Sequence, residues 1–248
     1  MNRLRAVSRV LVLLLAAPLA AWGAAAGYRL DRAPIDPNDL VSLQSGARLF
    51  VNYCLNCHGA QYMRYNRLVD LGLTEAQIRD HLIFTGDKVG DTMRVAMTPK
   101  DGKAWFGVAP PDLSLVGRSR GADWLYTYLR TFYRDPKTPT GWNNAVFPNV
   151  AMPHALWPLE GERALEIVPT KDRAGHAVPE YRWSRLSAGQ LTTAQYDAAV
   201  RDLVNFLMYV AEPHARVRKN IGIVVLFVLG VLLVLAYALK KEYWKDVT

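Results

Sequence analysis

The stretch Cys54-Leu55-Asn56-Cys57-His58 contains both cysteines of the 248-residue chain. Its C-x-x-C-H spacing is the signature of covalent c-type haem attachment. Two thiols three residues apart at the end of a helix reach the two vinyl groups of one porphyrin, and the next residue then points its imidazole at the iron. The motif therefore predicts one covalently bound haem c, attached through Cys54 and Cys57, with His58 as an axial ligand.

Two other kinds of site use a similar cysteine pair. A zinc site needs two further Cys or His ligands at finger-like spacing, and the remaining histidines are scattered singly, at His81, His154, His176 and His214. An exported thiol–disulfide oxidoreductase also uses C-x-x-C, but it requires a βαβ setting, whereas a helical pattern leads up to this motif. The oxidoreductase remains the alternative from a different class of protein.

Helical patterns dominate the chain, and strand signals are poor. The segment 39–53 repeats apolar residues at a spacing of three to four and delivers the cysteine motif, and Gly46 with Phe50 permits another helix to cross it closely. Further helices are predicted from two capping boxes and one aromatic run: from Thr74, over Asp123–Tyr133, and from Thr192 to Glu212. Long Pro- and Gly-rich loops, Met93–Asp112 and Pro136–Thr170, are expected to pack on the porphyrin. The fold class is mainly α.

The second axial ligand has several candidates, namely Met63, Met93, Met97, Met152, Met208 and the four other histidines. Met63 is too near the motif to reach the opposite face of the haem, and Met208 lies in a predicted core helix. Met152 lies in a loop whose backbone is restricted by the following Pro153, so its sulfur is presented rigidly. His154 would give bis-His ligation and a lower potential. The sequence favours Met152 and leaves Met97 and His154 open.

Both ends of the chain carry membrane signals. Arg3, Arg5 and Arg9 precede an apolar run that ends in Ala24-Ala25-Ala26, a pattern that predicts a signal peptide over residues 1–26. Residues 221–239 carry no charge, and 19 helical residues just span a hydrocarbon core of about 30 Å. We therefore expect an extracytoplasmic haem c domain over 27–215 and an anchor over 216–248 with a short cytoplasmic tail.

The formal net charge of +8 belongs almost entirely to the two ends of the chain. Residues 27–215 hold 21 basic and 20 acidic side chains, so the predicted haem domain is nearly neutral. Nucleic-acid binding requires a basic patch on the folded domain. The charge distribution therefore argues against a nucleic-acid partner and favours a basic collar around a membrane span.

Several motifs follow the haem motif in a fixed order. They are Ala109-Pro110-Pro111-Asp112-Leu113-Ser114, Arg118-Ser119-Arg120 leading into an aromatic helix, Ala151-Met152-Pro153, Glu212-Pro213 and the C-terminal anchor. In this order the chain resembles cytochrome c1 of the bacterial type, the haem subunit of the cytochrome bc1 complex. The resemblance implies a class I c-type cytochrome-like helical haem domain with long loops, plus one C-terminal transmembrane helix. It also implies a single-pass protein of the bacterial inner membrane, with its haem domain on the periplasmic side.

The resemblance implies roles for individual residues. Cys54 and Cys57 form the thioethers, His58 is the proximal ligand and Met152 the distal one. Three further residues would contact the haem: Pro111 lines the pocket, Arg120 meets a propionate, and Trp124 stands where the family commonly has a haem-proximal tyrosine.

The function implied by the resemblance is electron transfer without bond chemistry. The protein would accept one electron from the Rieske iron–sulfur protein and pass it to a c-type cytochrome, beside cytochrome b in a dimeric multi-subunit complex. A membrane-tethered c-type cytochrome that serves a terminal oxidase is the alternative within electron transfer. Glu160, Glu162 and Glu166 form an acidic cluster that is either a solvated loop or a surface that steers a basic acceptor.

Overall fold

The computed structural model describes residues 28–171 and 175–246, so the expected signal peptide lies outside the described residues. The helices are α1 (Leu40–Leu49), α2 (Glu75–His81), α3 (Pro99–Phe106), α4 (Val116–Arg120), α5 (Ala122–Leu129), α6 (Trp157–Glu160), α7 (Thr193–Ala211) and α8 (Ala215–Tyr243). The strands are β1 (Ala60–Arg64), β2 (Thr92–Met93), β3 (Phe132–Arg134), β4 (Trp142–Asn144), β5 (Gly161–Lys171) and β6 (Ala177–Ala188). The strands form three two-stranded antiparallel sheets, β1–β2, β3–β4 and β5–β6.

Helix α1 crosses α7 at the centre of the domain. Asp39 caps α1 by accepting a hydrogen bond from the Ser42 backbone N–H at 3.0 Å. At Gly46 the two helices approach so closely that an added Cβ would lie 2.0 Å from the carbonyl oxygen of Asp202 on α7. One turn later the rings of Phe50 and Phe206 pack with centroids 5.6 Å apart. The predicted close crossing at Gly46 is confirmed, and α7 is the helix that crosses there.

Helix α1 continues into a π-helical turn, Phe50–Cys54, which delivers the haem motif. The backbone N–H of Leu55 bonds to the carbonyl of Phe50 at 2.9 Å, and the N–H of His58 bonds to the carbonyl of Cys54 at 2.8 Å. The helix therefore ends in a tight turn. Because α1 is fixed against α7, this turn places the cysteines and His58 relative to the core.

Both predicted capping boxes are present. Thr74 begins α2 and Thr192 begins α7, and in each case the side chain of the third helical residue, Gln77 or Gln195, bonds back to the capping residue. Helix α7 ends at Ala211 with Glu212 as its C-terminal cap, so it closes at Glu212-Pro213 as predicted. Its buried side chains include the predicted apolar face, Val200, Leu203, Leu207 and Val210, together with Tyr196, Val204 and Phe206.

The segments expected to be loops contain regular structure. Helix α3 lies inside the expected loop 93–112. Thr98 caps its start, since the Thr98 hydroxyl accepts a hydrogen bond from the Asp101 N–H at 3.2 Å, and Pro99 occupies its first turn. The helix predicted over Asp123–Tyr133 ends at Leu129, and the following residues form β3, which pairs with β4. The aromatic and β-branched residues after Leu129 favour a strand, so the helix does not continue to Tyr133.

A β-hairpin begins in the second half of the expected loop Pro136–Thr170. In strands β5 and β6, Gly161 pairs with Ala188 at one end of the hairpin and Lys171 pairs with Ala177 at the other. Pro169 and Pro179 lie directly opposite each other, and prolines within a run weaken a strand prediction. At the base of the hairpin, an added Cβ on Gly161 would lie 2.3 Å from the carbonyl oxygen of Ser187, so only glycine fits there.

Helix α8 is long and apolar enough to cross a membrane. Within Val217–Tyr243 the most apolar window of 18 residues has a mean hydropathy of 3.0, and none of that window is buried against the rest of the described chain. An isolated apolar helix of this length in water would expose its whole surface, whereas a bilayer satisfies both its side chains and its internally bonded backbone. Trp244 follows its end, where an indole suits the membrane interface.

Candidate haem site

A cavity of about 510 Å³ opens beside the cysteine motif. Its walls are mostly apolar and come from the motif turn, α4, α5, α7 and the loop before α6. It brings together all seven residues that the sequence proposed for the site, namely Cys54, Cys57, His58, Pro111, Arg120, Trp124 and Met152. An apolar cavity with two thiols, one imidazole and one thioether on its walls has the donor set that a covalent haem requires.

The imidazole of His58 is oriented by the backbone of the A-P-P-D-L-S run. Its Nδ1 lies 2.7 Å from the carbonyl oxygen of Pro111. A carbonyl oxygen only accepts, so Nδ1 carries the proton and Nε2 keeps a free lone pair. Burial lowers the pKa of His58, more than the Pro111 carbonyl and Asp112 raise it. The ring is thus neutral near pH 7, which is the form that binds a metal.

The A-P-P-D-L-S run is the hydrogen-bonding partner of the chain that follows the haem motif. The Leu113 N–H bonds to the Gly59 carbonyl at 2.7 Å. The Asp112 carboxylate accepts from the Gln61 N–H at 2.9 Å, and the Ser114 hydroxyl accepts from the Tyr62 N–H at 3.1 Å. Through these bonds the A-P-P-D-L-S run holds the segment that directly follows the haem motif.

Neither cysteine has the environment of a redox thiol. Both are free of disulfide bonding. Burial, with a smaller effect of Cys57, raises the pKa of Cys54 to about 12, and burial also raises the pKa of Cys57. A thiol–disulfide oxidoreductase needs a lowered thiol pKa. Zinc has no support either, because no cluster of three or more His, Cys, Asp or Glu suited to a metal ion occurs in the described ranges 28–171 and 175–246.

Met152 is the methionine on the cavity wall. Its Sδ accepts a hydrogen bond from the Tyr128 hydroxyl at 3.3 Å. The other candidates in the described ranges lie elsewhere. Met63 and Met93 are buried in the protein core, and the sulfurs of Met97 and Met208 pack against Gly102 of α3 and Gly117 of α4, respectively. This geometry favours Met152 over Met97.

Arg120 and Trp124 lie together at the cavity. The guanidinium carbon of Arg120 stands 4.8 Å from the centroid of the Trp124 ring and 5.9 Å from that of Phe147. Trp124 stacks on Tyr128 with centroids 4.7 Å apart. A guanidinium held over a ring at the cavity wall is suited to pair with a carboxylate of a bound group.

The sequence did not single out Tyr128. It lies one helical turn after Trp124 on α5, and this spacing on one helix face was the available signal. Burial raises the pKa of Tyr128 far above its ordinary value, so its hydroxyl keeps its proton and acts as a donor to Met152.

The acidic cluster Glu160–Glu162–Glu166 is not a solvated surface. Glu160 is buried and bonded to His154 and Arg163. Glu162 pairs with Arg134 at 2.5 Å, and the pKa of Glu162 is lowered chiefly by that hydrogen bond. Glu166 alone is exposed. Charges already paired within the fold steer a basic acceptor weakly, so this geometry does not favour an acidic steering patch here.

His154 is not on the cavity wall in the described structure. Its Nε2 lies 2.7 Å from the Glu160 carboxylate, inside a box of aromatic rings. The alternative of bis-His ligation through His154 is therefore not supported by the geometry.

Known proteins are similar to this chain over most of its length. The model of the cytochrome C1 family matches residues 31–166 and 187–247. A protein of Nitrosomonas europaea named ammonia monooxygenase gamma subunit is 49% identical over 98% of this chain and 100% of its own length. Cytochrome c1 of Allochromatium vinosum is 49% identical over 94% of this chain and 96% of its own length. Cytochrome c1 of Rhodospirillum rubrum is 29% identical over 84% of this chain and 83% of its own length.

Between the two matched segments lie residues 167–186, whose described part belongs to the outer half of strands β5 and β6, so the family match covers the cavity, the core crossing and the anchor helix. On these grounds the chain belongs to the cytochrome c1 family, whose members carry one covalently attached haem c.

Proposed function

We propose that this membrane-anchored haem protein accepts one electron from a Rieske iron–sulfur protein and passes it to a c-type cytochrome within a cytochrome bc1 complex. The observation that carries the proposal is the convergence of two thiols, the free Nε2 of His58 and the sulfur of Met152 on one apolar cavity. A site with both axial positions filled leaves no position for a substrate at the iron, which suits electron transfer.

The residues of the cavity have separate roles in this proposal. The thiols of Cys54 and Cys57 would hold the haem as thioethers, and His58 Nε2 and Met152 Sδ would bind its iron. The Pro111 carbonyl holds the tautomer and orientation of His58. Arg120, supported by the Trp124 ring, pairs with a propionate.

The bound haem would supply a one-electron ferrous–ferric couple. The protein contributes the surroundings that set the potential. Methionine as one axial ligand raises the potential, and so does burial among apolar side chains. A raised potential is needed to receive an electron from a Rieske centre, whose own potential lies at about −150 to +300 mV.

The predicted signal peptide and the apolar helix α8 support a location of the protein in the cell. Export of residues 27–215 after removal of a signal peptide over 1–26, with α8 as the anchor, leaves the haem domain on the periplasmic side of the inner membrane. In this position the haem lies at the membrane surface beside cytochrome b. The complex is expected to be dimeric.

Purification of the tagged full-length protein from membranes in mild detergent tests the proposal. We expect a c-type α-band in the pyridine haemochrome spectrum, together with a b-type cytochrome and a Rieske protein in the same complex. Reduction of the haem by a quinol should require the Rieske protein. A variant in which Cys57 is replaced by Ser is the control, since it lacks one thioether and should shift the haemochrome band.

Three outcomes would contradict the proposal. Recovery with a terminal oxidase alone would favour the tethered cytochrome that serves an oxidase. Recovery with ammonia monooxygenase subunits, as the name of the Nitrosomonas europaea relative suggests, would place the protein in a different complex. Titratable thiols without a haem band would restore the oxidoreductase.

A further inference from the structure

A buried polar cluster lies directly behind the loop that carries Met152. His154 follows Met152 by two residues and is only 2% exposed. Its ring stacks on Phe132 with centroids 4.9 Å apart and meets the edge of Trp142 at 5.1 Å. An imidazole is rarely buried this completely unless its nitrogens are bonded.

Two charged side chains complete the cluster. His154 Nε2 lies 2.7 Å from Glu160 Oε2, and the other carboxylate oxygen of Glu160 lies 2.7 Å from Arg163 Nη2. Arg163 also donates to the carbonyl of Arg130 and lies over the Trp183 ring at 4.5 Å. The imidazole is thereby tied to α6, to β5 and, through β6, to the hairpin.

The chain before Met152 is held in a different way. The buried Asn143 accepts from the Asn149 N–H at 2.8 Å. The buried Asn144 accepts from the backbone N–H groups of Val146 and Phe147 at 2.9 and 3.1 Å. With asparagines upstream and His154 downstream, the short segment 150–153 is clamped at both ends.

We infer that His154 is a positioning residue, which holds the sulfur of Met152 at the haem iron through the hydrogen bond of its imidazole to Glu160. The inference rests on the proposed function, because it requires Met152 as an axial ligand. The thioether side chain of methionine has three rotatable bonds and does not fix its own sulfur. Besides the Tyr128 hydroxyl, the backbone on either side of Met152 must do so, and on the downstream side the buried hydrogen bond of His154 to the Glu160 carboxylate holds it.

Two substitutions of His154 test the inference. His154→Leu removes the bond to Glu160, and His154→Gln places an amide nitrogen close to where Nε2 lies and restores a donor. In the ferric full-length holoprotein, the near-infrared sulfur-to-iron band reports whether Met152 is bound. We follow this band and far-ultraviolet circular dichroism together during thermal unfolding, and we measure the midpoint potential.

For His154→Leu we expect about a tenfold larger fraction of protein without the sulfur–iron band before global unfolding begins, together with a lower midpoint potential. His154→Gln should recover most of the band and of the potential. Ile78→Ala, a buried change on α2, is the matched control. It should lower the unfolding temperature, and the sulfur-to-iron band and the secondary structure should still be lost at the same temperature. If His154→Leu does not accumulate, Glu160→Gln removes the charge that strengthens the same bond and should show the same early loss.

The possible failures are distinguishable. If the parent protein shows the band and His154→Leu loses it only together with its secondary structure, as Ile78→Ala does, the positioning role is overturned while the proposed function stands. If the parent protein itself has no sulfur–iron band, the proposed ligation by Met152 fails and the inference fails with it.

Discussion

At the scale of single residues, the site depends on hydrogen bonds that orient the side chains with the ligand atoms. The carbonyl of Pro111 assigns the tautomer of His58, and the hydroxyl of Tyr128 donates to the sulfur of Met152. Neither bond is visible in the haem motif itself. Such partners of ligand residues tune affinity and potential without touching the metal.

The first residue-scale prediction concerns Met152. In the ferric holoprotein, Met152→Leu should abolish the near-infrared sulfur-to-iron band and lower the midpoint potential, because the sulfur ligand is lost. Met97→Leu is the control and should leave both unchanged, since the sulfur of Met97 packs against α3. A band that survives Met152→Leu and disappears in Met97→Leu would reverse the assignment.

The second concerns Tyr128. A donor to the sulfur withdraws electron density from it and therefore favours the ferrous iron. Tyr128→Phe keeps the ring that stacks on Trp124 and removes only the donor. If the free energy of this hydrogen bond is about 0.5–1 kcal/mol more favourable in the ferrous state than in the ferric state, its removal lowers the midpoint potential by about 20–40 mV. Tyr126→Phe, on the same helix, is the control; a fall of the same size there would count against a specific role for Tyr128.

At the scale of elements, the crossing of α1 and α7 decides where the haem motif lies. The helices touch at Gly46, and the π-helical turn at the end of α1 carries this position to Cys54. The capping boxes, the crossing glycine and the apolar face of α7 were all predictable, because they follow from local spacing. The hairpin β5–β6 was not predictable in this way. It is held by eleven residue pairs between its two strands and by Trp183, which packs against Tyr133 and Arg163.

The element-scale prediction is a substitution at the crossing. Gly46→Ala should destabilise the domain by about 3 kcal/mol, because its Cβ would meet the α7 backbone, which cannot yield without moving the helix. Denaturant unfolding of the holoprotein measures this change. Gly90→Ala is the control, since an added Cβ there has no neighbour within 4 Å. Equal stability of the two variants would show that α1 and α7 do not cross at Gly46.

At the scale of the whole molecule, one glutamate joins the haem domain to the anchor. Glu212 lies between α7 and α8 and accepts from Arg118 at 2.7 Å and from Arg218 through two bonds of 2.8 Å. Arg118 belongs to α4, next to the cavity, and Arg218 belongs to the first turns of α8. The ion pairs therefore link the helix beside the cavity to the first turn of the anchor helix.

The pH dependence of this junction follows from the pKa of Glu212. The hydrogen bond from Arg218 is the main cause that lowers this pKa below its ordinary value of 4.5. A carboxylate with a depressed pKa stabilises the folded arrangement fully above its ordinary pKa, and the stabilisation is lost as the pH falls through the lowered one. The junction is thus fully formed at neutral pH.

The whole-molecule prediction is that Glu212→Gln loosens the junction at neutral pH. Release of Arg218 should expose the chain beside it, and trypsin should separate the haem domain from the anchor severalfold faster in the purified full-length protein. Glu242→Gln, near the other end of α8, is the control and should not change the rate. An unchanged cleavage rate in Glu212→Gln would mean that Arg118 and Arg218 do not hold the anchor.

The sequence by itself determined the haem type and the anchor of this protein, and it predicted His58 and, in outline, Met152 as the ligands of the iron. These features are set by local spacing, since the two cysteines lie three positions apart and an unbroken apolar run makes the span. Only the tertiary structure decided which side chains support them. Tyr128, the His154–Glu160–Arg163 cluster and the Glu212 junction join residues far apart in the chain. Their contacts exist only after α1, α5, α7 and the hairpin have packed, so no local pattern carries them.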